Sequence, residues 1–179
     1  EMSFGAMAKL PYHNFEHVLD MTDVARRYAE MEEVSPEASF LIQTAGYLHD
    51  VIYVVGAQDN EERSSELGAG FLRASGYNES EIGTVEGLIL ATKVPTEPRN
   101  LYQQILVDAD VDNLGRWDFF DRTEKLRQEF GVANQVDWYK GTVKFMDGHE
   151  YYTQSAKSLR DEGFKLNLLE LERRIVQSI

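Results

Sequence analysis

Cysteine is absent from this 179-residue chain. That excludes disulfides, thiolate metal sites and a cysteine nucleophile together. Basic residues are scarce: 18 Lys and Arg stand against 31 Asp and Glu, for a formal net charge of −13. Gripping a nucleic-acid backbone needs a surplus of cations, so nucleic acid is not an expected partner. No apolar run approaches the ~20 residues of a membrane span, and the opening EMSFGAMAKL lacks the apolar core of a secretory signal. No membrane partner is expected, and a cytoplasmic location is compatible with these features. Histidine is rare as well, with four in the chain, so the placement of each one carries information.

Period-two alternation bounded by turn pairs is also missing, and the expectation is an all-α, single-domain helical bundle over residues 1–179. His17, Met21, Val24 and Tyr28 share one face of a helix spanning about 14–33. Ser35, Pro36 and Glu37 open a second, whose stripe Ala38, Leu41, Ala45, Leu48 and Ile52 carries it past residue 50. Apolar residues on its other faces mark it as central. Asp59 with Glu62, and Asn78 with Glu81, have capping-box spacing. Further helices are predicted over 98–114, 117–130, 134–147 and 150–177, with Gly115, Gly131 and Gly148 near the breaks.

Against this pattern a few polar residues stand out. His49 and Asp50 sit inside the apolar stretch TAGYLHDVIYVV, where an unpartnered charge would cost several kcal/mol. His17 lies on the apolar stripe of the first helix. Asp110, in ILVDADVDNLG, shares a helical face with Val107 and Leu114. Each alone reads as a structural residue. Taken together, separate helices bring imidazoles and carboxylates toward apolar surroundings, and one divalent cation would satisfy them all. Two nitrogens and two oxygens suit Mn²⁺, Fe²⁺, Co²⁺, Ni²⁺ or Zn²⁺, with Mg²⁺ a further candidate, and leave coordination positions open for water or substrate. Periodicity does not choose between Asp108 and Asp110, since Asp108 shares a face with Leu101 and Ile105.

The ordered set YHNFEHVLDM, LHDVIY, DNEERSSELG, LILATK, DADVDNLG and KLNLLELE resembles the HD-domain superfamily of metal-dependent phosphohydrolases over nearly the whole chain. The resemblance implies an HD-type helical bundle and one divalent metal ion held by His17, His49, Asp50 and Asp110. The register of an Asp in AD followed by an apolar residue selects Asp110. The implied activity is hydrolysis of a small phosphorylated molecule, such as a nucleotide, by metal-activated water. Asp110 or Glu61 would take the proton, and His13 and Lys93 would hold phosphate, with His13 also placed to act as an acid. Glu61 and Glu62 also read as capping and solvated residues, and Lys93 as a cation at a helix C-terminus. Arg116 and Lys140 are weaker candidates for substrate contact.

The chain also departs from the family pattern. Val94 and Pro95 follow Lys93 where a histidine is common. Val51, Ile52 and Tyr53 occupy the place of an acidic residue found in some nucleotide-cleaving relatives, which keeps a non-catalytic metal- or ligand-binding module as an alternative. Histidines of the kind used by binuclear relatives, including di-iron HD-fold oxygenases, are lacking after His49. Only His149 remains, and it reads as an exposed loop residue. Trp117, Phe119, Phe120, Trp138, Tyr139, Tyr151 and Tyr152 read as packing groups. No sequence pattern sets the oligomeric state.

Overall fold

In a computed structural model that describes residues 9–95 and 97–178, eight α-helices and a short 3-10 turn, with no strand among the described residues, form the expected all-α bundle. They are α1 (Phe15–Met31), α2 (Pro36–Leu48), α3 (Asn60–Ala74), α4 (Glu79–Ala91), α5 (Leu101–Asp110), α6 (Phe119–Glu129), α7 (Gln135–Asp147) and α8 (Gln154–Gln177). The 3-10 turn is Asp112–Gly115.

Local chemistry sets most of the helix starts. A helix leaves its first amides without internal partners, and a short polar side chain in front of it can accept them. Asn14 accepts from the amides of Glu16 and His17 at 2.8 and 3.3 Å. Ser35, Asn100, Asn134 and Thr153 do the same for α2, α5, α7 and α8. Asn78 and Glu81 form the reciprocal capping box of α4. The Asp59–Glu62 box does not form: Asp59 makes no capping bond, and Glu62 pairs with Lys93 instead. An ion pair with Lys93, just beyond the end of α4, has taken the side chain that the box needed.

Tertiary partners move other boundaries. α2 ends at Leu48, so His49 and Asp50 lie at its C-terminal exit and not inside a longer helix. The backbone beyond finds polar partners on α3. Ser64 Oγ donates to Ile52 O at 3.1 Å and accepts from Ile52 N at 3.0 Å. The Asn60 amide does the same for Val54, at 3.1 and 3.0 Å. Residues on another helix thus satisfy the groups that a continuing helix would have paired. The predicted helix over 98–114 likewise breaks after Asp110 into the 3-10 turn.

α2 packs against α1, α4 and α5. It is not covered all round, because Phe40 and Tyr47 are exposed along one edge. The core comprises Met21, Tyr28, Ile42, Ile89, Ile105, Leu106, Phe119 and Leu171 among others. Trp117 departs from its expected packing role: it is 88 % exposed, whereas Phe119, Tyr139 and Tyr151 are buried.

α8 crosses the 3-10 turn at glycine-to-glycine contact. A Cβ on Gly163 would lie 2.1 Å from Gly115 O, so neither position has room for a side chain. Beneath the crossing, buried Asp112 accepts from Arg160 Nε and Nη2 at 2.6 and 3.1 Å and from the Tyr28 hydroxyl. Asp108 accepts from the amides of Tyr152 and Thr153 and from the Thr153 hydroxyl, the last two at 2.7 Å. These two buried carboxylates tie the stretch around the end of α5 to α8 and the segment ahead of it.

Candidate metal centre and cavity

His17 points inward from α1 because its stripe-mates Met21, Ala25 and Tyr28 are core residues. His49 leaves the end of α2 with its ring held: Nδ1 donates to Gly46 O at 2.8 Å. That bond fixes which nitrogen carries the proton and turns the Nε2 lone pair inward, the arrangement usual for a metal-ligating imidazole. Asp110 arrives from the end of α5. One ligand atom from each of His17, His49 and Asp110 lies within 4.8 Å of the others, a group that could hold a metal ion.

Asp50 closes on the same point. Its Oδ2 is 3.0 Å from His49 Nε2 and 3.6 Å from His17 Nε2. Asp110 Oδ1 is 3.2 Å from His17 Nε2 and 3.5 Å from His49 Nε2. The structure therefore brings together the residues that the sequence singled out as a set. Asp108 goes elsewhere, to the amides ahead of α8.

The donor set fits a divalent cation on two grounds. Nε2 of His17 and Nε2 of His49 are both buried and, although carboxylate oxygens lie 3.2 and 3.0 Å away, neither makes a hydrogen bond of acceptable geometry. Orphaned polar atoms are rare in interiors and each calls for a reason. The electrostatics agree. Burial opposes charge on the His49 imidazole, yet the Asp50 carboxylate, reinforced by Asp110, holds its pKa well above the ordinary value. Burial likewise pushes Asp110 up, but the two imidazoles overcome it and hold its carboxyl far below the usual range. The cluster draws positive charge to its centre.

A cavity of about 630 Å³ opens beside the cluster, with Asp50 and Asp110 in its wall. His13, Glu61 and Lys93 line it as well. Lys93 Nζ donates to Gln58 O at 2.7 Å and pairs with Glu62, so the reading of Lys93 as a cation at a helix end is incomplete. His13 stacks on Tyr53, with centroids 3.7 Å apart and planes at 16°, and its Nδ1 pairs with Glu129. The Glu129 side chain is fully covered, and it also accepts from the amides of Tyr12 and His13 at 2.8 and 2.9 Å. Burial opposes its charge, but the His13 ring and these amides hold its pKa below the usual carboxylate value.

Glu129 and Tyr53 escaped the sequence reading. Glu129 lies at the end of an amphipathic helix and looks like a solvated terminus. Only the approach of α6 to the segment before α1, 116 residues away in sequence, gives it work. Arg116 is not free for a substrate: it binds Asp20 at 2.9 Å and Asp118 at 2.9 Å. His149 is not an exposed loop residue. Its ring is half-buried, stacked on Phe145 with planes at 9° and edge-on to Tyr151, with Nε2 buried and unpartnered.

The comparisons with known proteins agree with this architecture. The chain superposes on the crystal structure of Bacillus subtilis YpgQ in complex with ADP with a TM-score of 0.70. At 17% identity, the match covers 98% of this chain and 95% of YpgQ, so the two share a fold. No curated protein matches the sequence. HD domains bind divalent metals and are typically metal-dependent phosphohydrolases. The family model described as HD domain matches residues 14–113, which include His17, His49, Asp50 and Asp110. With more than half of its length matched by that model, the chain belongs to the HD-domain family.

Proposed function

We propose that this protein is a metal-dependent phosphohydrolase acting on a small phosphorylated molecule, and that His17, His49, Asp50 and Asp110 hold one divalent cation. One observation carries the reading: two orphaned imidazole nitrogens converge with two carboxylates in the wall of an open cavity. A closed structural site would have no such access. Bound there, the cation supplies Lewis acidity and positive charge at a phosphoryl group. The surrounding residues then have separable tasks. His13, held by Glu129 and Tyr53, presents its free ring edge to a phosphoryl oxygen. Lys93 reaches the same cavity on exchanging Glu62 for phosphate. Glu61, in the same wall and outside the metal cluster, takes a proton from the attacking water.

The test is turnover of a panel of phosphomonoesters, phosphodiesters and phosphoanhydrides with Mn²⁺, Co²⁺, Ni²⁺ and Mg²⁺, alongside elemental analysis. Asp50→Ala should lose both bound metal and turnover. Undiminished activity in a metal-free Asp50→Ala protein would end the proposal.

A further inference from the structure

We infer that the free face of α8 is an interface for a second copy of this chain, with the two helices antiparallel about a two-fold axis between Asn167 and Leu168. The surface is separate from the cavity, whose described walls include no residue of α8.

Only the fold shows which face of α8 is free. The helix packs against α7 and the 3-10 turn, and its Ala156 and Leu171 are buried. Leu166, Leu169 and Val176 instead are 60 %, 62 % and 73 % exposed. A helical turn takes ~3.6 residues, so Glu162, Leu166, Leu169, Arg173 and Val176, spaced 4-3-4-3, run along one side of the helix. That alternation is the seam through which two helices of a coiled coil bury apolar side chains against each other. Single exposed aliphatics are ordinary on a surface, but three in line on one seam mark a site of association.

Charge selects the partner. The chain carries a net −13. Yet between Glu162 and Val176 the exposed charges of α8 are Glu162, Lys165, Glu172 and Arg173, balanced in sign. Among the described residues Glu162, Lys165 and Glu172 make no ion pair, and Arg173 shares Glu170 with Arg174. An antiparallel copy meets these charges in reverse order. With the axis between Asn167 and Leu168, Leu166 lies against the partner's Leu169, and Glu162 against the partner's Arg173. Lys165 runs alongside the partner's Glu172, at the flanking positions where coiled coils place their ion pairs. Two-fold symmetry repeats each contact. Every cation thus meets an anion while the leucines meet one another. A parallel copy would set Glu162 against Glu162 and Arg173 against Arg173, and a partner of one sign would face like charge as often as opposite charge.

Analytical ultracentrifugation of the full chain tests this. The wild type should show a reversible monomer–dimer equilibrium across the micromolar range. Leu169→Glu should raise the dissociation constant by about a hundredfold or more, since each copy would then bury an unpaired carboxylate. At dilutions where both proteins are monomeric the variant should keep the wild-type Tm, because Leu169 is exposed in the single chain. The charges test the register. Glu162→Arg and Arg173→Glu should each weaken self-association by about tenfold or more, because each places like charges across the seam twice. Mixed in equal amounts, these two variants should pair with each other more tightly than either pairs with itself, because every contact of that layer then sets a cation against an anion. A wild-type chain that stays monomeric throughout the range would overturn the inference. So would a Leu169→Glu protein as dimeric as wild type, or two charge variants with no preference for each other.

Discussion

Asp110→Asn gives the sharpest test of the metal centre, because it changes one atom's chemistry and almost no volume. A ligand that binds only the folded state stabilises it by RT ln(1 + [L]/Kd), about 2.7 kcal/mol at a hundred times Kd. A chain of this size shifts its Tm by roughly 2–4 °C per kcal/mol, so a saturating divalent metal should raise the wild-type Tm by about 5–11 °C. Asp110 Oδ1 is the oxygen nearest His17 Nε2, at 3.2 Å. If its loss weakens binding about a hundredfold, the same metal concentration equals Kd, stabilisation falls to about 0.4 kcal/mol, and the shift shrinks to roughly 1 °C. The quantity to compare is the Tm with metal minus the Tm with EDTA, measured for each protein by differential scanning fluorimetry. That difference cancels any effect of removing a negative charge from the metal-free cluster. Asp108→Asn is the internal control. It is a buried carboxylate two positions away, but its oxygens face the Tyr152 and Thr153 amides. It should retain the full metal shift while lowering the EDTA baseline, at a cost of about 1–3 kcal/mol for the disturbed bonds. An Asp110→Asn protein with an undiminished shift would refute the assignment. So would a wild-type protein unmoved by any of Mn²⁺, Fe²⁺, Co²⁺, Ni²⁺, Zn²⁺ and Mg²⁺.

Two further outcomes follow from the packing. Gly163→Ala should lower the urea midpoint by an amount worth about 3 kcal/mol or more, because its Cβ would meet the Gly115 carbonyl, which is backbone and cannot rotate away. Gly141→Ala on α7, with nothing near the added Cβ, should instead gain about 0.5–1 kcal/mol of helix propensity, so equal effects at the two positions would contradict the crossing. His149→Phe probes a buried base, since burial holds the His149 pKa below its ordinary 6.5. As pH falls through 6.5 the unfolded chain takes up a proton that the folded chain refuses, so wild-type stability drops toward the lowered folded value and is level above 6.5. The Tm difference between variant and wild type should therefore be constant above pH 7 and grow in the variant's favour below 6.5. A difference that is flat across the whole range would show that His149 titrates alike in both states.

Much of this fold is local chemistry and is therefore legible along the chain. Ser35 and Asn78 cap the helices that their spacing predicts, and the apolar stripe of α1 is the stripe that enters the core. A cap bond spans two or three residues and a helical stripe repeats every turn, so both are written within a short window. His17, His49 and Asp50 were legible for a related reason: each is a polar residue at a position that local pattern assigns to the interior, whereas the choice of Asp110 over Asp108 came from the resemblance to the HD-domain superfamily. What the chain could not announce were partners far apart in sequence. Ser64 and Asn60 draw residues 52–54 out of α2, Lys93 takes Glu62 from its cap, Glu129 clamps His13 across the bundle, and Asp108 is turned to α8 while Asp110 is left to the cavity. Sequence by itself determined which residues must avoid water and which groups would be stranded by doing so. The tertiary structure alone decided how those groups were reconciled, because a hydrogen bond or an ion pair depends on ångström proximity, and proximity between distant segments exists only once the helices have packed.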